Sequence, residues 1–137
     1  MPVIELDMLI AFVNPLDKLH QVAVKVFGKI VKGELRGFSA ASSAYLEYEL
    51  ILRSRGYPEE DIRLEVEAFR RLRNLGEVPL TSSVLIEASR LREQFKLTYF
   101  DSLHAASALL HDGKIASIDA AYFKIPELEV IDPRTLC

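Results

Sequence analysis

Four acidic side chains carry the chemistry open to this sequence. Asp7 closes the run VIELD, Asp119 closes KIASID just ahead of AAYF, and Asp101 heads the almost wholly apolar stretch TYFDSLHAASALLH. Glu47 lies inside SSAYLEYELILRSRG. Each aspartate taken alone has an ordinary explanation. Asp7 and Asp119 suit N-caps of the segments after them, a role worth about 1 kcal/mol. Asp101 suits a capping box with Thr98, although such boxes prefer the longer Glu or Gln at that position. Glu47 is harder to dismiss. On a helical wheel starting at Ala44, steps of about 100° put Glu47 near ~300°, flanked by Leu50 and Ile51, and Glu49 near ~140°, beside Arg53. Glu49 precedes Arg53 by four residues, the favourable order for an exposed helix ion pair. Glu47 has Ser43, Ala44, Leu50 and Ile51 three and four residues away and therefore no cation along its own helix. An acid on the inward edge of a helix is costly unless something pairs it, and metal coordination is one solution.

The elements that would position these acids alternate. Short β-rich runs at Val3–Leu6, Gly37–Ala40, Val78–Leu80, Ile115–Ile118 and Glu129–Ile131 are separated mostly by helix-length periodic segments. Between Asp17 and Lys32, the residues Leu19, Val22, Ala23, Val26 and Ile30 share one helical face, and Gly33 follows as a stop. Pro58 predicts a helix start, with Glu59, Glu60 and Asp61 on its positive dipole end, and Thr81 or Ser82 caps the next helix. This alternation implies an α/β protein with a parallel sheet covered by helices on both faces. In such a sheet ligands bind beyond the carboxyl ends of the strands. Asp7, Asp101 and Asp119 all fall at strand-to-helix junctions there, and Glu47 is within reach. Four converging carboxylates without lysines repel one another. A hard cation such as Mg²⁺ or Mn²⁺, which prefers oxygen ligands and keeps water positions open, removes the conflict.

Composition narrows the classes. A chain of 137 residues, half apolar and 27% charged, suits one domain spanning 1–137. No apolar run approaches the ~20 residues of a membrane span. The start, MPVIELDM, lacks the basic and small-residue signals of a secretory leader, so the expected location is cytoplasmic. The single cysteine, Cys137, excludes an intrachain disulfide and a cysteine-based zinc site. A net charge of −3 argues against general electrostatic binding of nucleic acid, leaving only a local site for it.

In order and spacing, VIELDMLIAF, SSAYLEYELIL, LTYFDSLHAASALL and IASIDAAYF resemble the four acidic blocks of the PIN domain, especially its VapC-type toxin ribonucleases. DKLHQVA at Asp17–Ala23 resembles the family's second helix. The resemblance implies a three-layer α/β/α sandwich around a mostly parallel five-stranded sheet. It implies that Asp7, Glu47, Asp101 and Asp119 are the catalytic, metal-binding carboxylates, with Ser117 a polar residue behind them. The implied reaction is hydrolysis of RNA phosphodiester bonds with one or two Mg²⁺ or Mn²⁺ ions. The implied partners are an RNA substrate, a VapB-like antitoxin and a second copy of the chain in a homodimer, with no membrane. For the homodimer, apolar positions such as Phe27, Tyr45 and Phe69 are candidate contacts. Met8 and Leu9 stand where the family usually has Thr or Ser and a small polar residue, and Ser117 replaces its usual Thr. The missing hydroxyl after Asp7 keeps a non-catalytic RNA- or protein-binding module as the alternative. An aspartate-nucleophile phosphatase ranks lower, because Leu9 sits where it would need a second Asp.

Other conspicuous residues have plain expectations. Glu5, two residues before Asp7 and on the same strand face, is unexpected in a buried strand. His104 is expected to be packed or hydrogen-bonded rather than a catalytic base. His20 and His111 suit the surface or helix ends. Arg70, Arg71 and Arg73 suit a helix C-terminus, and Tyr99, Phe100, Tyr122 and Phe123 are assigned to the core.

Overall fold

The computed structural model describes residues 2–137. Five strands run β1 (Val3–Ile4), β2 (Ser39–Ala41), β3 (Gly76–Val78), β4 (Lys114–Ala116) and β5 (Glu129–Ile131). The sheet order is β3-β2-β1-β4-β5, and every neighbouring pair is parallel. Six α-helices connect them: α1 (Leu6–Val13), α2 (His20–Val31), α3 (Ser42–Ser54), α4 (Glu59–Arg70), α5 (Ser82–Phe95) and α6 (Tyr99–His111). Short 3₁₀ turns follow β4 at Ala120–Lys124 and β5 at Pro133–Leu136.

The period-2 side-chain alternation of the strands divides the interior into two cores. Ile4, Ala40 and Ala116 pack with α1, α2, α3 and α4 around Phe27, Ile30 and Phe69. Their strand neighbours Val3, Ala41 and Ile115 face the other way, onto α5 and α6 around Leu91, Leu103 and Tyr122. The three-layer α/β/α sandwich follows directly from this division. Phe27, Tyr45 and Phe69 belong to the first core, with ring centroids about 6.2–6.3 Å apart between Phe69 and the other two. They are therefore not surface contacts for a second copy. Tyr122 is wholly buried, as expected, but Tyr99 is 55% and Phe123 71% exposed, which corrects their assignment to the core. Tyr99 instead lies under the Arg92 guanidinium, 4.9 Å from its ring centre, and edge-on to Phe100.

Capping explains where the boundaries move. β1 stops at Ile4, because the Glu5 side chain accepts the Asp7 N–H at 3.2 Å and starts α1. Glu5 is thus the residue that ends the strand, and Asp7 is in the first helical turn. Pro58 is the residue before α4 rather than its first residue, while Glu59, Glu60 and Asp61 do occupy the first turn. β3 lies at Gly76–Val78, slightly earlier than expected. Arg70 ends α4, and Arg71 follows as its C-cap, consistent with the dipole reading. His20 begins α2 and contacts the Ala11 carbonyl oxygen at 2.8 Å, and His111 ends α6. Thr81 caps α5 by accepting the Val84 N–H at 3.3 Å. Thr81→Ala is therefore expected to cost about 1 kcal/mol and to lower the melting temperature by a few degrees, measured by thermal denaturation followed by circular dichroism. Among the described residues, no helix is long and apolar enough to cross a membrane.

Candidate metal centre

The centre forms where β1 and β4 end side by side. Ser117, buried just after β4, donates its hydroxyl to Asp7 Oδ2 at 2.9 Å, and Ile118 N–H donates to the same oxygen at 3.0 Å. The Ser117 oxygen also accepts the Asp119 N–H at 3.0 Å and lies 3.4 Å from Glu5 Oε2. One serine therefore ties together the acids at both strand ends. Asp119 caps the following 3₁₀ turn through Oδ1, which accepts the Ala121 N–H at 2.9 Å. The capping explanation holds for Asp119 without exhausting it, since its second oxygen is not part of the cap.

α6 supplies the next acid. Thr98 Oγ1 accepts the Asp101 N–H at 3.4 Å, so Thr98 is the N-cap and Asp101 stands in the first turn. The Tyr122 hydroxyl donates to Asp101 Oδ1 at 3.4 Å. Burial raises the Asp101 carboxyl above its ordinary range, and repulsion from Asp119 and Glu47 adds to it, while Thr98 and His104 pull it down. Burial and the surrounding acids Glu5, Asp101, Asp7 and Asp119 also push the Tyr122 phenol upward.

Glu47 finds its partner across the helix pair rather than along its own helix. His104, fully buried on α6, places Nε2 2.7 Å from Glu47 Oε1 and 3.7 Å from Glu5 Oε1. The other ring nitrogen, Nδ1, lies 2.7 Å from Ser43 Oγ on α3. His104 is therefore hydrogen-bonded, as expected. Glu49 faces away and pairs with Arg53 at 2.8 Å, also as expected.

Glu5 was singled out by the sequence only as an anomaly, and the structure makes it central. It is 6% exposed, and burial first, then the nearby Asp7 charge, raises its carboxyl well above the usual carboxylate range. The signal for it was an acid in an otherwise apolar run. The signal for His104 was its position one turn after Asp101.

Whether a cation suits these residues can be judged from their donors. Carboxylate oxygens of Glu5 and Glu47 lie within 4.8 Å of each other, with His104 Nε2 beside both. Ser117 joins Asp7 and Asp119 to Glu5, and Asp101 lies close enough to Glu47 and Asp119 to feel their charge. Asp7 Oδ1 is buried with no hydrogen-bond donor among the described residues. No lysine or arginine of the described residues forms a salt bridge with any of these acids. Oxygen-rich donors, an unsatisfied buried carboxylate oxygen and the lack of a lysine or arginine partner among the described residues together fit a divalent metal ion.

Comparisons with known proteins agree with this architecture. The structure resembles VapBC2 from Rickettsia felis bound to a DNA fragment from its promoter, with a TM-score of 0.71, 13% identity and coverage of 94% of this chain and 96% of that one. It also resembles FitAcB from Neisseria gonorrhoeae (TM-score 0.69, 15% identity, 97% and 98% coverage). A toxin-antitoxin complex from Klebsiella pneumoniae is similar as well (TM-score 0.67, 15% identity, 97% and 98% coverage). At these identities the likeness speaks to the fold. No curated protein matches the chain by sequence. The family model for the PIN domain matches residues 8–128, a span that takes in Glu47, His104, Asp101 and Asp119, and on that match the chain belongs to the PIN domain family.

Proposed function

We propose that this protein is a divalent-metal-dependent endoribonuclease and the toxin of a toxin–antitoxin pair. The observation that carries the reading is the lysine-free cluster of acids at the carboxyl ends of β1 and β4, with Asp7 Oδ1 buried and unsatisfied. In this reading Asp7, Glu47, Asp101 and Asp119 hold Mg²⁺ or Mn²⁺, and Glu5 joins them from the end of β1. When bound, the ion offsets the carboxylate charge and makes a nucleophile from water available near neutral pH. The chain's own work is positional. Ser117 and the Ile118 amide orient Asp7, Tyr122 supports Asp101, and the Asp119 carboxylate stays fixed by its cap. An RNA phosphodiester is the substrate class in keeping with the family, and with a net charge of −3 its binding depends on a local site rather than on general electrostatic attraction. The similar structures from Rickettsia felis and Klebsiella pneumoniae are complexes containing antitoxins or promoter DNA, which supports a VapB-like antitoxin as partner. A homodimer in the cytoplasm completes the proposal on the strength of the family resemblance.

The test is cleavage of a varied RNA panel by purified protein with Mn²⁺, with and without chelator. Expected is endonucleolytic cleavage that the chelator abolishes and added Mn²⁺ restores. Binding of RNA with no cleavage under any of these conditions would replace this reading with that of a non-catalytic binding module.

A further inference from the structure

We propose that His104 is a positioning residue that, braced by Ser43, fixes the Glu47 carboxylate for its ligand. The proposal rests on the metal-dependent reading above. A glutamate carries its carboxylate on three rotatable bonds, so presenting it in one orientation requires a second contact. His104 Nε2 supplies that contact at 2.7 Å to Oε1.

The ring itself is held on several sides. Because Nε2 faces two carboxylate oxygens, those of Glu47 and Glu5, it is the nitrogen that carries the proton and donates. Nδ1 meets the Ser43 hydroxyl at 2.7 Å, and the Phe100 ring stacks on the imidazole with centroids 6.1 Å apart and planes 28° apart. A ring flip would break both edge contacts. His104 is wholly buried, so it serves neither as a solvent-facing ligand for RNA nor as a surface charge.

The placement also links two helices. His104 and Asp101 lie three residues apart on α6, on neighbouring positions of one helical face, while Ser43 and Glu47 lie four apart on α3. The bridge thus sets the distance between the acid on α3 and the acid on α6. Groups that hold a metal ligand from behind in this way are typically worth about 10–100-fold in metal affinity or activity.

A merely structural link between α3 and α6 would make the same contacts, and the experiment separates the two. Mn²⁺ affinity by calorimetry and the melting temperature of the metal-free protein are measured for wild type, His104→Leu, His104→Gln, Glu47→Gln and the double variant His104→Leu/Glu47→Gln. Expected is Mn²⁺ binding about 10–100-fold weaker in His104→Leu. Most of it should return in His104→Gln, whose amide nitrogen can donate from the position of Nε2. His104→Leu should cause no further loss once Glu47 is already Gln, because residues acting through one contact are not additive. Unchanged Mn²⁺ affinity in His104→Leu, or an equal loss in both backgrounds, overturns the proposal while leaving the nuclease reading intact. If His104→Leu does not fold, Ser43→Ala takes its place, with weakened Mn²⁺ binding expected and unchanged binding overturning the proposal. Absence of Mn²⁺ binding by the wild type defeats the metal-dependent reading and this proposal with it.

Discussion

Glu47→Gln is expected to abolish RNA cleavage, whereas Glu49→Gln, two residues along the same helix, leaves it intact. Glu47 is held by His104 on the inward face of α3, near Glu5, and its repulsion is felt at Asp101. Glutamine keeps an oxygen that can accept the His104 N–H, so the fold should survive the change. It lacks the negative charge that a metal ligand contributes, and cleavage should fall by more than about 100-fold, beyond the usual cost of disturbing the groups behind a ligand. Glu49 is engaged with Arg53, which also binds Glu59. Its pair is exposed, and surface pairs of this kind contribute little. Rates on one RNA substrate and melting temperatures of both variants decide the matter. Equal activity in the two would mean that the acid assigned to the metal site is the wrong one.

The contrast between these neighbours also shows what the sequence made legible. Which face of α3 each glutamate occupies could be worked out from a 100° step and the position of Arg53. The partner of Glu47 could not, because His104 is 57 residues away and the search for a partner along one helix cannot see across a helix pair. The parallel sheet and its two covering layers were legible because strand runs alternate with amphipathic helices. Strand ends were less so, since they depend on caps. VIELD looks like one strand until Glu5 captures the Asp7 amide and turns the chain into α1 after only two strand residues. That local event exchanges the roles of two acids, making Glu5 the strand-end carboxylate and Asp7 a first-turn residue. The exposure of Tyr99 and Phe123 is not legible in the sequence for a similar reason. Apolar type alone does not tell which aromatic of a consecutive pair points inward, whereas the helical and 3₁₀ turns put Tyr122 in and Phe123 out.

Glu5→Gln is expected to stabilise the metal-free protein while weakening its Mn²⁺ binding, an opposition that capping alone does not predict. Glutamine can still accept the Asp7 N–H, so the start of α1 is preserved. What disappears is a buried carboxyl whose ionisation is opposed by burial and by the Asp7 charge. The sign follows from proton linkage. Because the folded-state pKa of Glu5 lies well above its ordinary value of 4.5, the folded protein binds more protons than the unfolded chain between those two values. Stability therefore falls as pH rises through that window and stays low above it, where ionised Glu5 opposes folding. Asp101 contributes with the same sign, while Glu59 and Asp132, held below their usual range by Arg53 and Arg134, contribute with the opposite one. Glu59 and Asp132, whose partners lie away from Glu5, cancel in a difference curve, whereas the mutual repulsion of Asp101 and Glu5 is part of what the curve reads. The wild-type melting temperature should thus rise on acidification from neutral pH relative to that of Glu5→Gln. At neutral pH the variant should melt several degrees higher without metal, as expected when one unfavourable buried charge is removed from a chain of this size. Added Mn²⁺ should reverse the ranking, because a ligand that binds only the folded state stabilises it by mass action and the variant binds it less tightly. Thermal melts of both proteins across pH, with and without Mn²⁺, provide the measurement. A variant that melts lower than wild type without metal, together with undiminished Mn²⁺ stabilisation, would place Glu5 among the structural acids and outside the metal centre.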